Sequence, residues 1–188
     1  MDVDPLHRDA RLAGKRESIR GELRGGGLEI RISSGTGQAA IDIGRHLGAT
    51  IYATASESKH DRLRELGAHP LSYDDESIAQ LEAAVVFDPV GGAAFEQSVA
   101  ALGAGGRIVT PGAVDNPIVS LNLWLVIGMR ARIIGTGAAS VTNEQLDRLI
   151  ELAGNGELTP VIDRELPLAD AAEAHRLIEG GSCSKKSC

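Results

Sequence analysis

Residues 31–49 read RISSGTGQAAIDIGRHLGA, and the glycine loop within this stretch decides how the chain is interpreted. Gly35, Gly37 and Ala40 match the pattern G-x-G-x-x-[GA], in which the first glycine permits a tight turn and the second leaves room for a pyrophosphate. The chain has 23 glycines in 188 residues, so this spacing arises easily by chance. Its value as a signal depends on the segments that flank it.

The flanking segments are those that a phosphate-binding loop requires. LEIRIS (28–33) alternates apolar and polar residues as a strand does, and GQAAIDIGRHLG (37–48) has helical spacing with a glycine at its end. The inward stripe of this helix is predicted at Ala40, Ile43 and Leu47. Backbone N–H groups and the dipole at a helix start attract phosphate. The residues predicted to hold a pyrophosphate are Gly35, Thr36, Gly37 and Gln38. A plain strand-to-helix turn is the alternative interpretation.

Strand-like and helix-like segments continue to alternate along the chain. The further predicted strands are the apolar or alternating segments at 50–56, 69–74, 84–90, 106–112 and 131–137. Segments with helical spacing separate them, and such alternation produces a parallel sheet covered by helices on both faces. We therefore predict an α/β fold, a doubly wound parallel sheet of the Rossmann type with about six strands.

The clearest helix follows the sixth predicted strand. TNEQLDRLIELAG (142–154) begins with a capping box formed by Thr142 and Gln145 and stops at Gly154. Its predicted core-facing stripe is Leu146, Leu149, Ile150 and Ala153. The segment at 159–168 is predicted to be extended.

The composition divides the chain into three regions. We predict a charged, glycine-rich arm or linker at 1–26, a dinucleotide-binding domain at 27–181 and a tail at 182–188. The only cysteines, Cys183 and Cys188, lie in the tail, and two thiols cannot complete a tetrahedral zinc site. The five histidines form no pair at metal-binding spacing, so we expect no metal.

Charge and hydropathy exclude several kinds of partner. The formal net charge of −7 disfavours a broad nucleic-acid surface. No apolar run approaches the span of about 20 residues that a membrane helix needs. The first residues contain no apolar secretory segment, so we expect a cytoplasmic protein with neither nucleic acid nor membrane as a partner.

The end of the second predicted strand bears on the choice of cofactor. An NAD-preferring loop usually has an acidic residue there for the ribose 2′-hydroxyl. Here the strand ends as ATASESKH (53–60), with Ser56 at its tip and Lys59 shortly after. A hydroxyl and a cation suit a 2′-phosphate, so we predict NADP(H). The acidic Glu57 next to Ser56 keeps NAD(H) open as the less favoured cofactor. For Ser56 itself, a role as a helix N-cap is as well supported as a role in cofactor binding.

Glycine and proline follow the later strands, in FDPVGG (87–92), VTPGA (109–113) and IGTGA (134–138). Small residues at the carboxyl ends of parallel strands keep open the crevice in which such sheets bind ligands. The predicted residues at the ribose and nicotinamide end are Val90, Gly91, Gly112 and Gly135. Simple turns are the alternative. Asp88 could meet a ribose hydroxyl or cap its own turn.

Three stretches together resemble the cofactor domain of the medium-chain dehydrogenase/reductase superfamily. They are GTGQAAIDIGRHLGATIYATASESKHDRLRELGAH (35–69), VVFDPVGGAAFEQSVAALGAGGRIV (85–109) and LTPVIDRELPLADAAEAHRLIEGG (158–181). The sequence is most similar to the zinc-free quinone oxidoreductases and their enoyl-reductase relatives.

The resemblance implies an NADPH-dependent enzyme that transfers a hydride to a quinone, an enone or a related carbonyl compound. It places the pyrophosphate at 35–38, the 2′-phosphate at Ser56 and Lys59, and the nicotinamide near Val90, Gly112 and Gly135. In this family the sixth strand often pairs with its copy, and an apolar edge strand is unsafe uncovered, so we expect a homodimer through that strand.

Departures from the family pattern leave the activity open. The family's GroES-like substrate domain is not expected here, since too few residues precede the first predicted strand. Ser34 stands where the loop usually has glycine, and the tail replaces a closing strand. A non-catalytic NADPH-binding module is therefore the second hypothesis. A Rossmann methyltransferase is the third, weakened by Ser56 where the ribose of the methyl donor would need an acid.

Overall fold

A six-stranded parallel sheet runs through the computed structural model, which describes residues 27–31, 35–137, 141–162 and 164–179. The strands in chain order are β1 (Gly27–Arg31), β2 (Thr50–Thr54), β3 (His69–Leu71), β4 (Ala83–Phe87), β5 (Leu102–Thr110) and β6 (Arg132–Gly135). Their spatial order is β3-β2-β1-β4-β5-β6, with every neighbouring pair parallel. This is the strand order of dinucleotide-binding sheets, so the predicted doubly wound α/β fold is confirmed.

α-Helices separate most of the strands and follow β6. They are α1 (Gly35–His46), α2 (His60–Glu65), α3 (Phe95–Ala100), α4 (Leu123–Met129), α5 (Asn143–Gly154) and α6 (Ala171–Glu179). Short 3₁₀ turns occur at Glu57–Lys59, Glu76–Gln80, Gly92–Ala94 and Leu168–Asp170.

A 3₁₀ turn replaces the helix that the sequence indicated between β3 and β4. Asp75 caps it by accepting from the Ser77 N–H at 2.9 Å, and this hydrogen bonding to Ser77 lowers the pKa of the Asp75 carboxyl. Glu82 then takes a φ of +47°, outside the right-handed helical region, and β4 begins at the next residue. The segment is therefore too short for a full α-helix.

Two apolar cores lie on opposite faces of the sheet. The first consists of Ile41, Ile51, Ala53, Ala55, Leu63 and Ala68. The second consists of Ile78, Ala83, Val86, Phe95, Val99, Ala101, Leu102 and Ile108. In β4, Val85 and Phe87 pack against the first core while Val86 belongs to the second, as the alternation of a strand requires. A strand with apolar residues on both faces explains the continuous run AVVF.

Helix α1 sits close to the sheet because its inner face is small. Gly37, Ile41 and Gly44 are its buried residues, and Ala40 packs against the first core. These positions recur at i, i+3, i+4 and i+7, the spacing of one helical face. The predicted stripe was wrong at Ile43, which is exposed, since the face is centred on Ile41 and flanked by glycines that hydropathy does not mark.

Helix α5 has the predicted boundaries but not the predicted packing. Thr142 and Gln145 form a complete capping box, and the helix ends at Gly154. The predicted stripe is not in the core: Leu146, Leu149 and Ile150 are exposed, Ile150 to 69%, and only Leu152 is buried. The stripe instead borders a groove of about 430 Å³ between α1 and α5, whose lining includes Leu149, Ile150 and Ala153.

The segment predicted to be extended at 159–168 contains no strand in its described parts, and other predictions fall on residues that the structure does not describe. The segment at 159–168 is held by a Thr159 N–H donating to the Asp42 carboxylate. The arm at 1–26, Ser34 and the tail at 182–188 lie outside the described residues. Within the described ranges, no helix has the length and hydropathy to cross a bilayer.

Candidate nucleotide-binding site

The crevice of this sheet opens between β1 and β4. β1 pairs with β2 on one side and with β4 on the other, so the strand order reverses here. Connections leave the two strands toward opposite faces, and ligands of open α/β sheets bind outside the carboxyl ends at such a point. The segments after β1, β2 and β4–β6 are therefore the ones that can form a site.

The first turn of α1 directs its backbone donors toward this crevice. Gly35, Thr36, Gly37 and Gln38 are its first four residues, and backbone N–H groups at a helix start point outward along the helix axis. Gly35 is exposed, and a Cβ built on it would meet nothing within 4 Å. Gly37 is buried on the inner face of the helix. The open approach thus lies at Gly35.

The end of β2 presents hydroxyls and one cation. Ser56 is exposed and extended, and its Oγ lies 3.2 Å from the Ser58 Oγ. Ser56 occupies the N-cap position of the following 3₁₀ turn, but its side chain makes no capping hydrogen bond. Lys59 ends that turn and, among the described residues, has no ion-pair partner within 4.0 Å, whereas Arg62 pairs with Glu65 at 2.8 Å. Lys59 therefore keeps its charge available for an anion.

Asp88 caps the turn after β4 and does not face a ribose. It is fully buried, and its Oδ1 accepts from the N–H groups of Val90 at 2.8 Å and Gly91 at 3.0 Å. Its Oδ2 accepts from the Ser98 hydroxyl at 2.6 Å. Both carboxylate oxygens are engaged within the protein, so the turn-capping alternative is the correct one for Asp88.

The turn after β4 is joined to the segment after β5. Gly91 has φ +68° and ψ −146°, a conformation that is almost confined to glycine. The Asp115 N–H donates to the Val90 carbonyl at 3.0 Å, and the Gly92 N–H donates to the Asn116 carbonyl at 2.9 Å. The two segments therefore hold each other in place at the edge of the sheet.

A cleft of about 400 Å³ lies above the ends of β4, β5 and β6. Gly91 and Gly112 both line it, so the structure brings these two predicted residues together. Val90 and Gly135 adjoin the cleft without lining it. Its polar lining includes Thr136, which lies in the predicted segment IGTGA (134–138), and Thr110, which was not among the predicted lining residues. Thr110 is the last residue of β5, and this position at the carboxyl end of a strand could have revealed it.

The described residues offer no metal site. No three His, Cys, Asp or Glu side chains in that part of the chain are grouped to hold an ion. The residues at the crevice are instead backbone amides, hydroxyls and a lysine, which are donors suited to phosphate oxygens. Their chemistry fits a phosphorylated cofactor.

Comparison with known proteins gives a consistent assignment. The family model described as "Zinc-binding dehydrogenase" matches residues 66–183, more than half of the chain. The chain is 36% identical over 151 residues to the polyketide synthase GfsB of Streptomyces halstedii, covering 77% of this chain and 3% of that protein. It is 29% identical over 172 residues to an acryloyl-coenzyme A reductase of Sulfurisphaera tokodaii, covering 85% of this chain and 51% of that protein.

A quinone oxidoreductase of Pseudomonas aeruginosa is 28% identical over 174 residues, with 82% of this chain and 53% of that protein covered. The chain thus spans about half the length of these two reductases and far less of the synthase. Among solved structures, AibC superposes with a TM-score of 0.75 at 30% identity, over 84% of this chain and 47% of that one. The chain accordingly belongs to the zinc-binding dehydrogenase family, within the medium-chain dehydrogenase/reductase superfamily that its sequence resembles.

Proposed function

We propose that the chain binds NADP(H) and serves hydride transfer between its nicotinamide and an enone, a quinone or a related carbonyl compound. The observation that carries this proposal is the exposed start of α1 at the crevice, where the backbone N–H groups of the first turn point along the helix axis and Gly35 leaves open space. A pyrophosphate would accept from these donors and would be favoured by the helix dipole.

Each part of the dinucleotide has residues suited to it. The amides of residues 35–38 would hold the pyrophosphate, and Ser56 with Lys59 would hold the 2′-phosphate. The backbone at Gly91 and Gly112 would contact the nicotinamide end and exclude water from it. When bound, the cofactor supplies the hydride, and the protein supplies orientation and a dry environment.

The substrate class rests on relatives and on the chemistry of the cleft. Two relatives are named as reductases of acryloyl-coenzyme A and of quinones. Both kinds of substrate contain a carbon–carbon double bond conjugated to a carbonyl group. The cleft above β4–β6 has mostly apolar walls, including Phe95, Val119 and Ile133, and such walls suit the carbon skeleton of an enone or a quinone.

A titration followed by a turnover assay tests the proposed function. We expect NADPH to bind the full chain, as detected by calorimetry, and we expect the nicotinamide absorbance to fall when a small quinone or an enoyl thioester is added. S-adenosylmethionine is the control ligand for the methyltransferase alternative. Absence of binding by both NADPH and NADH would reject the nucleotide assignment.

A non-catalytic NADPH-binding module is the second candidate. It is favoured by the cleft itself, since no described residue that lines it has a titratable side chain. It is also compatible with a chain that spans about half of its reductase relatives. NADPH binding without consumption of the cofactor on any of these acceptors would select this candidate over the enzyme.

Replacing Lys59 by alanine should weaken NADPH binding by about tenfold and leave NADH binding unchanged, because a charge-assisted hydrogen bond to the 2′-phosphate contributes about 1.5–3 kcal/mol. Arg64→Ala is the matched control, because Arg64 is an exposed cation of α2 that already pairs with Asp61 at 2.7 Å. Titration of both variants with both cofactors measures the effect. Equal weakening of NADPH and NADH by Lys59→Ala would remove the argument for 2′-phosphate selectivity.

We also propose that β6 pairs with the β6 of a second copy. Within the described sheet β6 is an edge strand, and all four of its residues are exposed. The neighbouring helix α4 exposes Trp124 to 80% and Ile127 to 64%. Exposed apolar edges of this kind are a liability unless another chain covers them.

Light scattering after size-exclusion chromatography should give the mass of a dimer at micromolar concentration. Ile134→Lys should shift the chain to a monomer, since it would place a charge within the paired edge. Leu168→Lys is the control, because Leu168 is a still more exposed apolar residue that lies outside β6. A monomeric wild-type chain would contradict the proposed dimer.

A further inference from the structure

The buried pair Asp88 and Ser98 connects helix α3 to the cleft. The Ser98 hydroxyl, in the middle of α3, donates to the Asp88 Oδ2 at 2.6 Å, and both side chains are fully buried. A carboxylate taken out of water needs several hydrogen bonds to remain there. Asp88 has three such bonds from the protein, one from Ser98 and two from the N–H groups of Val90 and Gly91.

The two backbone bonds fix a turn that would otherwise be unfavourable. Gly91 is held at φ +68°, and the Val90 carbonyl next to it receives the Asp115 N–H at 3.0 Å. Gly91 lines the cleft together with Gly112 and Asn116. The position of the cleft wall thus depends on the Asp88 carboxylate, although Asp88 itself does not line the cleft.

The Asp88 side chain makes no hydrogen bond to the proposed adenosine end within the described part of the chain. Among the described residues, the hydrogen bonds of the Asp88 side chain all go to the turn after β4 and to α3. The start of α1 and the turn at Ser56–Lys59 belong to other connections of the sheet. A change at Asp88 should therefore alter one end of the site and spare the other.

From this arrangement we propose that Asp88 and Ser98 are positioning residues that set the affinity for the nicotinamide half of the cofactor, and not for the adenosine half. The inference rests on the proposed function and adds to it the residues that shape the reacting end. They act through the Val90–Gly91 turn and touch neither cofactor nor substrate. A change at either residue should therefore weaken binding of the nicotinamide half and leave binding of the adenosine half unchanged. A general loss of stability would not produce this difference.

The test compares NADPH with adenosine 2′,5′-bisphosphate, which carries only the adenosine half. Asp88→Ala removes the acceptor of two N–H groups and should weaken NADPH by about tenfold while changing the affinity of the fragment less than about twofold. Asp88→Asn keeps an acceptor at the Oδ1 position, and its amide can donate to the Ser98 oxygen. It should restore NADPH affinity to within about threefold of wild type.

Ser98→Ala is the second variant, for the case that Asp88→Ala does not fold. It removes the 2.6 Å bond to Asp88 while leaving the carboxylate in place, and it should weaken NADPH several-fold without affecting the fragment. Equal weakening of both ligands, or unchanged NADPH affinity in both folded variants, would overturn the positioning role.

If the wild-type chain binds neither ligand, the proposed function fails instead. In that case hydrogen exchange at residues 90–92 is the readout: unchanged protection in Ser98→Ala would still reject the role of the pair.

Discussion

Replacing Gly35 by aspartate is expected to weaken NADPH binding by about a hundredfold, which corresponds to about 2.7 kcal/mol. The new carboxylate would stand at the exposed first residue of α1, where the pyrophosphate is proposed to rest. It would repel the phosphates and compete with them for the same N–H groups. The chain should nevertheless fold, because a Cβ at Gly35 meets nothing within 4 Å.

The effect of Gly35→Asp on stability should have the opposite sign. An acidic residue in the first turn of a helix stabilises it by about 0.3–1 kcal/mol, and α1 has none there. The Tm should therefore stay constant or rise while affinity falls. Asn143→Asp, at the first residue of α5, is the matched control with the same helix position and no expected effect on NADPH. Retained NADPH affinity in Gly35→Asp would show that the cofactor does not use this helix start.

Much of the fold could be predicted from the sequence because its signals are local and repeated. Continuous apolar runs such as AVVF in β4 mark strands buried on both faces, and Thr142 with Gln145 mark a helix start by adjacent hydrogen-bonding groups. A positive φ at Gly48 confirms the predicted end of the helix at 37–48. Each of these features needs only neighbouring residues to be recognised.

The features that could not be predicted from the sequence depend on contacts between residues far apart in the chain. Asp88 is equally suited to a ribose or to a turn, and only Ser98 and the buried setting decide between them. The apolar stripe of α5 predicts a buried face but not whether the sheet or an open groove receives it. The candidate site has the same property: Gly91 and Gly112 are recognisable separately, while the cleft that they share is a result of sheet order.

Gly91→Ala should cause the largest loss of stability among these single changes. The backbone at φ +68° and ψ −146° is strained for any residue with a Cβ, by about 1–3 kcal/mol. That Cβ would also lie 2.7 Å from the Asn116 carbonyl oxygen, which cannot move without loss of its 2.9 Å hydrogen bond from the Gly92 N–H. We expect a total near 4 kcal/mol and a fall in Tm of about 10 °C, measurable by calorimetry.

Gly105→Ala separates the two contributions. Gly105 has a similar φ of +77°, but a Cβ there meets nothing within 4 Å, so this variant reports backbone strain without a clash. It should cost about 1 kcal/mol, and the difference between the variants is the cost of separating the turn after β4 from the segment at Asn116. Because that contact forms the wall of the cleft, Gly91→Ala should also weaken NADPH binding in the folded fraction, whereas Gly105→Ala should not. An equal loss of stability in the two variants would mean that the joined segments do not hold this edge of the sheet together.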